Sequence, residues 1–268
     1  MVESLRSVLA RTGKGRQRMT SENDQVTAAW FDVMHAFAVH TTGGRSESGP
    51  GGTWLFVTAN DISLENGVFS PGPPDEAEVA VMARRMAGFG WDFCLQVRGE
   101  PTPGILRVAA DHGLHEREVL PLMTCSAAGV RYATAPRSTA AINVVKVTEA
   151  EHYAVTMAAA FEAPREVFGA LLEGELKANG CTGYIAVHDG VAVGTGLGAV
   201  SGDQLGIYNI GTLPDHRHRG HGRAMSERIL RDGFAAGATR AFLQSSTEAV
   251  PLYESLGFRT LETWTYLY

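Results

Sequence analysis

The chain has 268 residues, of which 44% are apolar and 19% charged, and its formal net charge is −6. Its length exceeds the roughly 100–200 residues of one usual domain, and its composition excludes disorder as the dominant state. The acidic balance excludes a general attraction to nucleic-acid phosphates or anionic membranes, and three cysteines without CxxC spacing, Cys94, Cys125 and Cys181, exclude a disulfide framework or a zinc ribbon.

In chain order, residues 1–18 carry Arg6, Arg11, Lys14, Arg16 and Arg18 against the single acid Glu3, with no apolar signal core. They read as a basic flexible tail, with a transit peptide or a start at Met19 as alternatives. No run reaches the roughly 18 apolar residues of a spanning helix, so a soluble, cytoplasmic protein without nucleic-acid or membrane partners is expected. Residues 24–39 have helical periodicity, and 40–52, with five glycines, read as a loop. Strands are predicted at 54–58, 67–70, 92–97 and 119–124, with helices at 75–89 and 103–112 between them. The stretch 126–140, small and polar around Pro136, reads as a linker between a domain at 19–135 and a domain at 141–268.

The second half opens with a strand at 143–147 and helices at 149–162 and 164–178, the latter with Pro164 in its first turn. Strands at 183–188, 191–200 and 205–213 are joined by Asp189-Gly190 and Ser201-Gly202-Asp203, the turn chemistry of an antiparallel meander. A helix at 222–235, a strand at 241–244, a short helix at 249–256 and a strand at 259–268 follow. The expected fold class is α/β (α+β), with two domains that are each a mixed, mostly antiparallel sheet flanked by helices. An internal echo supports duplication. Cys94-Leu95-Gln96 leads through a Pro-containing helix to Gly113-Leu114 and a strand, as Phe242-Leu243-Gln244 leads to Gly257-Phe258 and a strand.

The segment 210–224, between a strand and a helix, carries the clearest chemistry. Gly220 and Gly222 leave backbone N–H groups unshielded where a helix begins, and Arg217 and Arg219 add cationic charge, a combination suited to a pyrophosphate. Arg217-x-x-Gly220-x-Gly222 after Thr212-Leu213-Pro214 resembles the signature of GNAT acetyltransferases. The downstream Ser246-x-x-Ala249-x-x-Leu252-Tyr253-x-x-x-Gly257-Phe258 is similar to that family's second hallmark. The resemblance covers residues 141–268 and implies an acetyl-CoA-dependent N-acetyltransferase acting on a primary amine of a small molecule or peptide, by direct attack in a ternary complex.

It also implies that Ile210, Gly211, Thr212, Arg217, His218, Arg219, Gly220, His221, Gly222, Arg223 and Ser246 bind acetyl-CoA. The Ile210 N–H would polarise the thioester carbonyl, and Tyr253 would protonate the departing thiolate. Ser246 stands where the family often has Asn. The central strand, Gly206-Ile207-Tyr208-Asn209-Ile210, has no carboxylate or histidine to act as base. A water relay, Glu173, Glu175 and the carboxylate of Tyr268 are the alternatives. His216, His218 and His221 lack a zinc spacing, so no metal is expected. Gly194-x-Gly196-x-Gly198 has no following helix and reads as a strand packed under a neighbour. The first half has no such phosphate loop, and Ala109 stands where Tyr253 does, so it resembles the degenerate partner of a tandem GNAT protein that shapes the acceptor pocket. Two other readings are a non-catalytic acyl-CoA sensor or regulatory module, and a tandem enzyme similar to mycothiol synthase. The sequence leaves the oligomeric state open.

Overall fold

The computed structural model describes residues 21–60, 62–135, 138–145 and 147–268, so the basic segment 1–18 and Met19 lie outside the described residues. Helix α1 (Glu22–His40) starts at Ser21, whose hydroxyl accepts from the Asp24 N–H. It is followed by β1 (Arg45–Ser48), β2 (Trp54–Val57), β3 (Gly67–Phe69), α2 (Glu76–Ala87), β4 (Cys94–Arg98), α3 (Pro103–Asp111) and β5 (Arg117–Ser126). Strand β1 lies inside the stretch expected to be a loop. Its four residues, Arg-Ser-Glu-Ser, have no apolar alternation and form an edge strand, held by backbone pairing to β2.

The second half contains β6 (Ala141–Val144), α4 (Ala150–Phe161), α5 (Gly169–Lys177), β7 (Cys181–His188), β8 (Val191–Ser201), β9 (Gln204–Thr212), α6 (His221–Ala235), β10 (Arg240–Gln244), α7 (Val250–Ser255) and β11 (Arg259–Leu267). The two halves each contribute a mixed, mostly antiparallel set of strands, and the sets form one eleven-stranded sheet in the order β1-β2-β3-β4-β11-β5-β10-β9-β8-β7-β6.

The join is an exchange. Strand β11, from the end of the chain, lies between β4 and β5, and β5, from the first half, lies between β11 and β10. The echo in sequence becomes an approximate two-fold repeat. Strands β1–β4 are a meander ending in the parallel pair β3/β4, and β7–β10 are a meander ending in the parallel pair β9/β10. Helices α3 and α7 end alike, with Gly113 and Gly257 at positive φ and the next N–H reaching back to the carbonyls of Ala109 and Tyr253.

Helices α1, α4 and α5 cover one face, where Trp30, Phe31, Met34 and Phe37 of α1 pack with Phe56 and Phe69 of the first half and Tyr153, Met157, Leu172, Trp264 and Tyr266 of the second. The opposite face carries two separate cores, one under α2 and α3 and one under α6 and α7. The Arg98 guanidinium grips both oxygens of Glu262 at 2.7 and 2.9 Å, which ties β4 to the exchanged β11. Among the described residues, no helix is long and apolar enough to cross a membrane.

Candidate active site

The site begins with a fault in β9. Thr195 of β8 faces Gly211 and Leu197 faces Tyr208, so Asn209 and Ile210 together oppose the single residue Gly196. This is a β-bulge. Asn209 takes a left-handed φ of 56°, and its carbonyl is held by the Thr195 hydroxyl at 3.0 Å. On the other side, β9 and β10 pair in parallel only from Gln204↔Arg240 to Gly206↔Phe242. Beyond that register the bulge turns β9 away, and a groove opens between Ile207, Tyr208, Asn209 and Ile210 on one wall and Gln244, Ser245, Ser246 and Tyr253 on the other. Its volume is about 650 Å³.

At the mouth of this groove stands the N-terminus of α6. Gly220 is its cap residue at φ 83°, and no side chain caps the helix, so its first N–H groups and its positive dipole end face outward. A second cavity of about 590 Å³ lies there, lined by His218, Gly220, Arg223 and Ala224 together with Leu252 and Ser255 of α7 and Ala133, Ala135 and Ser138 of the connecting segment. That segment packs on α6: the Ala133 N–H donates to Glu227 and the Ser138 hydroxyl meets His221 Nδ1 at 2.8 Å.

The expected residues are distributed as follows. Ile210, Ser246 and Tyr253 line the groove, and His218, Gly220 and Arg223 line the outer cavity. Gly211 is a seat for α4, since a Cβ there would lie 2.8 Å from Phe161 and 2.9 Å from Ala160. Arg217 is engaged at the surface: its partly exposed guanidinium donates to the carbonyls of Thr212 and Ala160 and to Glu162, and so straps the loop to the end of α4. Arg219 bonds the Asp215 carbonyl, and Arg223 bonds Glu227, Ser255 and the Arg131 carbonyl. The helix end therefore offers an anion backbone N–H groups more than free arginines. His221 is buried, and that burial holds its imidazole below the ordinary histidine range. Of the Gly194-x-Gly196-x-Gly198 run, Gly196 and Gly198 seat α6, since a Cβ there would lie 2.7 Å from Met225 and 2.9 Å from Ile229, whereas Gly194 lies against the Gly211 carbonyl of β9. Among the described residues, no group of three His, Cys, Asp or Glu side chains is arranged to hold a metal ion.

Tyr253 is 6% exposed and packs edge-on against Phe258. Burial pushes its phenol up to about 12, against a hydrogen bond with Ser226, so the proton is retained at neutral pH.

Two carboxylates complete the site, and the first is one that the sequence did not single out. Glu65 lies in a turn between β2 and β3, which the Asn66 side chain ties together by accepting from the Thr58 N–H and donating to the Asn60 carbonyl. Its carboxyl lines the groove, and burial pushes it up to about 7. Glu175 of α5 is 2% exposed, accepts a 2.7 Å hydrogen bond from the Asn209 amide, and is raised well above the carboxylate range by burial and by the charge of Glu65. No local motif marks Glu65, because the fold brings it to the groove from about 145 residues away along the chain. Of the other base alternatives, Tyr268 lines the groove and its carbonyl accepts from the Glu116 N–H, while the side chain of Glu173 lies outside those described.

Residues 148–258 match the model of the acetyltransferase (GNAT) family. The chain carries a GNAT acetyltransferase domain. The GNAT fold also extends beyond the matched residues. A GCN5-related N-acetyltransferase from Kribbella flavida is 20% identical with a TM-score of 0.66, over 92% of this chain and 95% of that one. A functionally unknown conserved protein from Staphylococcus epidermidis is 14% identical with a TM-score of 0.59, over 84% and 93%. A GCN5-related N-acetyltransferase from Sphaerobacter thermophilus is 16% identical with a TM-score of 0.56, over 82% and 78%. At these identities the likeness is one of fold. No curated protein matches the sequence.

Proposed function

We propose that the chain is an acetyl-CoA-dependent N-acetyltransferase whose reaction takes place in the groove between β9 and β10, with a primary amine as acceptor. The observation that carries this reading is the bulge at Asn209–Ile210 beside the uncapped N-terminus of α6. Together they offer a slot for an extended pantetheine arm and an anion seat at its outer end.

The residues fit the coenzyme. The outer cavity with Gly220 and Arg223 would take the phosphates, and the exposed edge of β9 at Ile210 would pair with the arm. Acetyl-CoA supplies the activated acetyl group; the chain's own part is to orient and to move protons. The Ile210 N–H is the donor proposed for the thioester carbonyl, where developing negative charge is stabilised as in an oxyanion hole. Tyr253, still protonated at neutral pH, is the acid for the leaving sulfur. Glu65, raised to about 7, is the base for the acceptor ammonium, since a group poised near the working pH is charged often enough to accept a proton. A base in the groove weighs against a purely sensory role.

The first half reads as a degenerate GNAT-like repeat, with the catalytic part at 141–268. Its counterpart of the phosphate loop, Pro71-Gly72-Pro73-Pro74-Asp75, has prolines without N–H groups, and the Asp75 carboxylate caps α2 by accepting from Ala77 and Glu78. A carboxylate occupies the place a phosphate would need. The test is turnover of acetyl-CoA over a panel of amines by the full chain. Acetylated product with release of one thiol per acetyl group supports the reading, and saturable coenzyme binding without turnover would assign the sensor role instead.

A further inference from the structure

Continuous with the groove lies a smaller inner chamber of about 160 Å³, lined by Trp30, Met34 and Phe37 of α1, Tyr208, Tyr266 and Glu175. Leu64, Glu65, Leu120, Tyr208, Asn209 and Gln244 line both spaces, so the chamber opens toward the proposed acetyl-transfer site. Both Glu65 and Glu175 face it. Two carboxylates enclosed together repel one another, and the arrangement is stable only if a proton or a cation lies between them. Among the described residues, no lysine or arginine lines the chamber.

Two further observations indicate an occupant. Among the described residues, the hydroxyl of Tyr208 and Nε2 of Gln244, two residues that line the chamber, have no hydrogen-bond partner, although the Gln244 carbonyl is fixed by the Tyr266 hydroxyl at 2.7 Å. Buried polar groups left open in this way ordinarily meet a ligand or water. The remaining walls are aromatic or aliphatic. Trp30, Phe37, Tyr208 and Tyr266 present ring surfaces beside the two carboxyl groups, a setting that attracts an organic cation able to replace their shared proton. At roughly 30 Å³ for each water-sized group, the space takes a short arm of about five heavy atoms.

We propose that this chamber binds a second cationic centre of the acceptor, so that the substrate class is a short aliphatic diamine or polyamine, acetylated at one amine while Glu175 and the aromatic wall hold the other. This rests on the acetyltransferase reading and specifies its acceptor. Selectivity then arises because the distal ammonium replaces the proton that Glu175 otherwise holds, whereas a neutral or anionic end does not.

The test compares three acceptors of equal length with the full wild-type chain and acetyl-CoA: 1,4-diaminobutane, 4-aminobutan-1-ol and 4-aminobutanoate. The expected order of kcat/KM is cation, neutral, anion, with about 100-fold between the diamine and the alcohol, as for a desolvated charge pair. Equal kcat/KM for the diamine and the alcohol overturns the proposal while leaving acetyl transfer intact. Glu175→Gln is expected to bring the diamine-to-alcohol ratio down by about tenfold or more, whereas an unchanged ratio in the folded variant overturns the role of the chamber. Calorimetric titration of 1,4-diaminobutane separates the two readings. Binding that Glu175→Gln abolishes, with no acetylation of any amine, supports the cation site and removes the enzymatic reading.

Discussion

Under the proposed function, a protonated phenol, Tyr253, and a near-neutral carboxylate, Glu65, act in one groove. Tyr253→Phe keeps the ring that packs on Phe258 and removes the donor, so coenzyme affinity should hold while the single-turnover rate falls by about 10²–10⁴-fold, or less if the thiolate leaves readily unaided. An equal loss of affinity and rate would make Tyr253 a binding contact. For Glu65, the wild-type rate should rise with pH through about 7 as the carboxyl loses its proton, and Glu65→Gln should lose that limb. Stability supplies an independent check of the sign. The folded state holds the Glu65 proton up to about 7 and the unfolded chain releases it near 4.5, so the contribution is present below 4.5 and is lost as pH rises to 7. The loss is at most about 3 kcal/mol, and urea midpoints of Glu65→Gln at pH 5 and pH 8 should differ less than those of the wild type. A variant with the wild-type pH slope in both rate and stability would remove Glu65 from this role.

At the scale of elements, the phosphate loop, helix α6 and the Leu252-Tyr253 helix were legible in sequence because their glycines and arginines sit at fixed local spacings. The bulge in β9 was not, since it depends on Gly196 of the neighbouring strand, and neither was β1, whose four polar residues carry no periodicity. The sequence reading assigns Arg217 to the pyrophosphate; in the structure its guanidinium bonds Glu162 and two carbonyls, partners that local spacing does not reveal. Two substitutions separate anion seat from packing. Gly220→Val forces a β-branched residue to φ 83°, so it should weaken coenzyme binding by about tenfold or more through loss of the helix-end contact, readable by calorimetry on the folded variant. Gly211→Val meets Phe161 and Ala160 and should cost about 1–3 kcal/mol in urea unfolding. Retained coenzyme affinity in Gly220→Val would move the phosphates elsewhere.

For the whole molecule, the similar layout of the two halves was visible in sequence as the echo around Gly113 and Gly257, but the exchange of β5 and β11 was not, because strand partners far apart in the chain leave no local mark. Exchange changes what the two halves can do alone. Strand β11 pairs only with β4 and β5, both from the first half, so residues 141–268 expressed alone should lack a cooperative thermal transition and gain one when residues 21–135 are added. A cooperative transition of the isolated half at the intact protein's Tm would show that the exchange is dispensable. It also brings Glu65 and α1 to the groove, which under the proposed function gives the first half a direct part in acceptor recognition. The central claim, acetyl transfer in the groove between β9 and β10, is tested most directly by a single-turnover reaction of the full chain with acetyl-CoA and 1,4-diaminobutane, followed by mass spectrometry. The account predicts one acetyl group on the diamine for each free coenzyme A thiol, with the yield lost in folded Gly220→Val; absence of acetylated product from this and every other amine offered, with the protein folded and saturated with coenzyme, would contradict it.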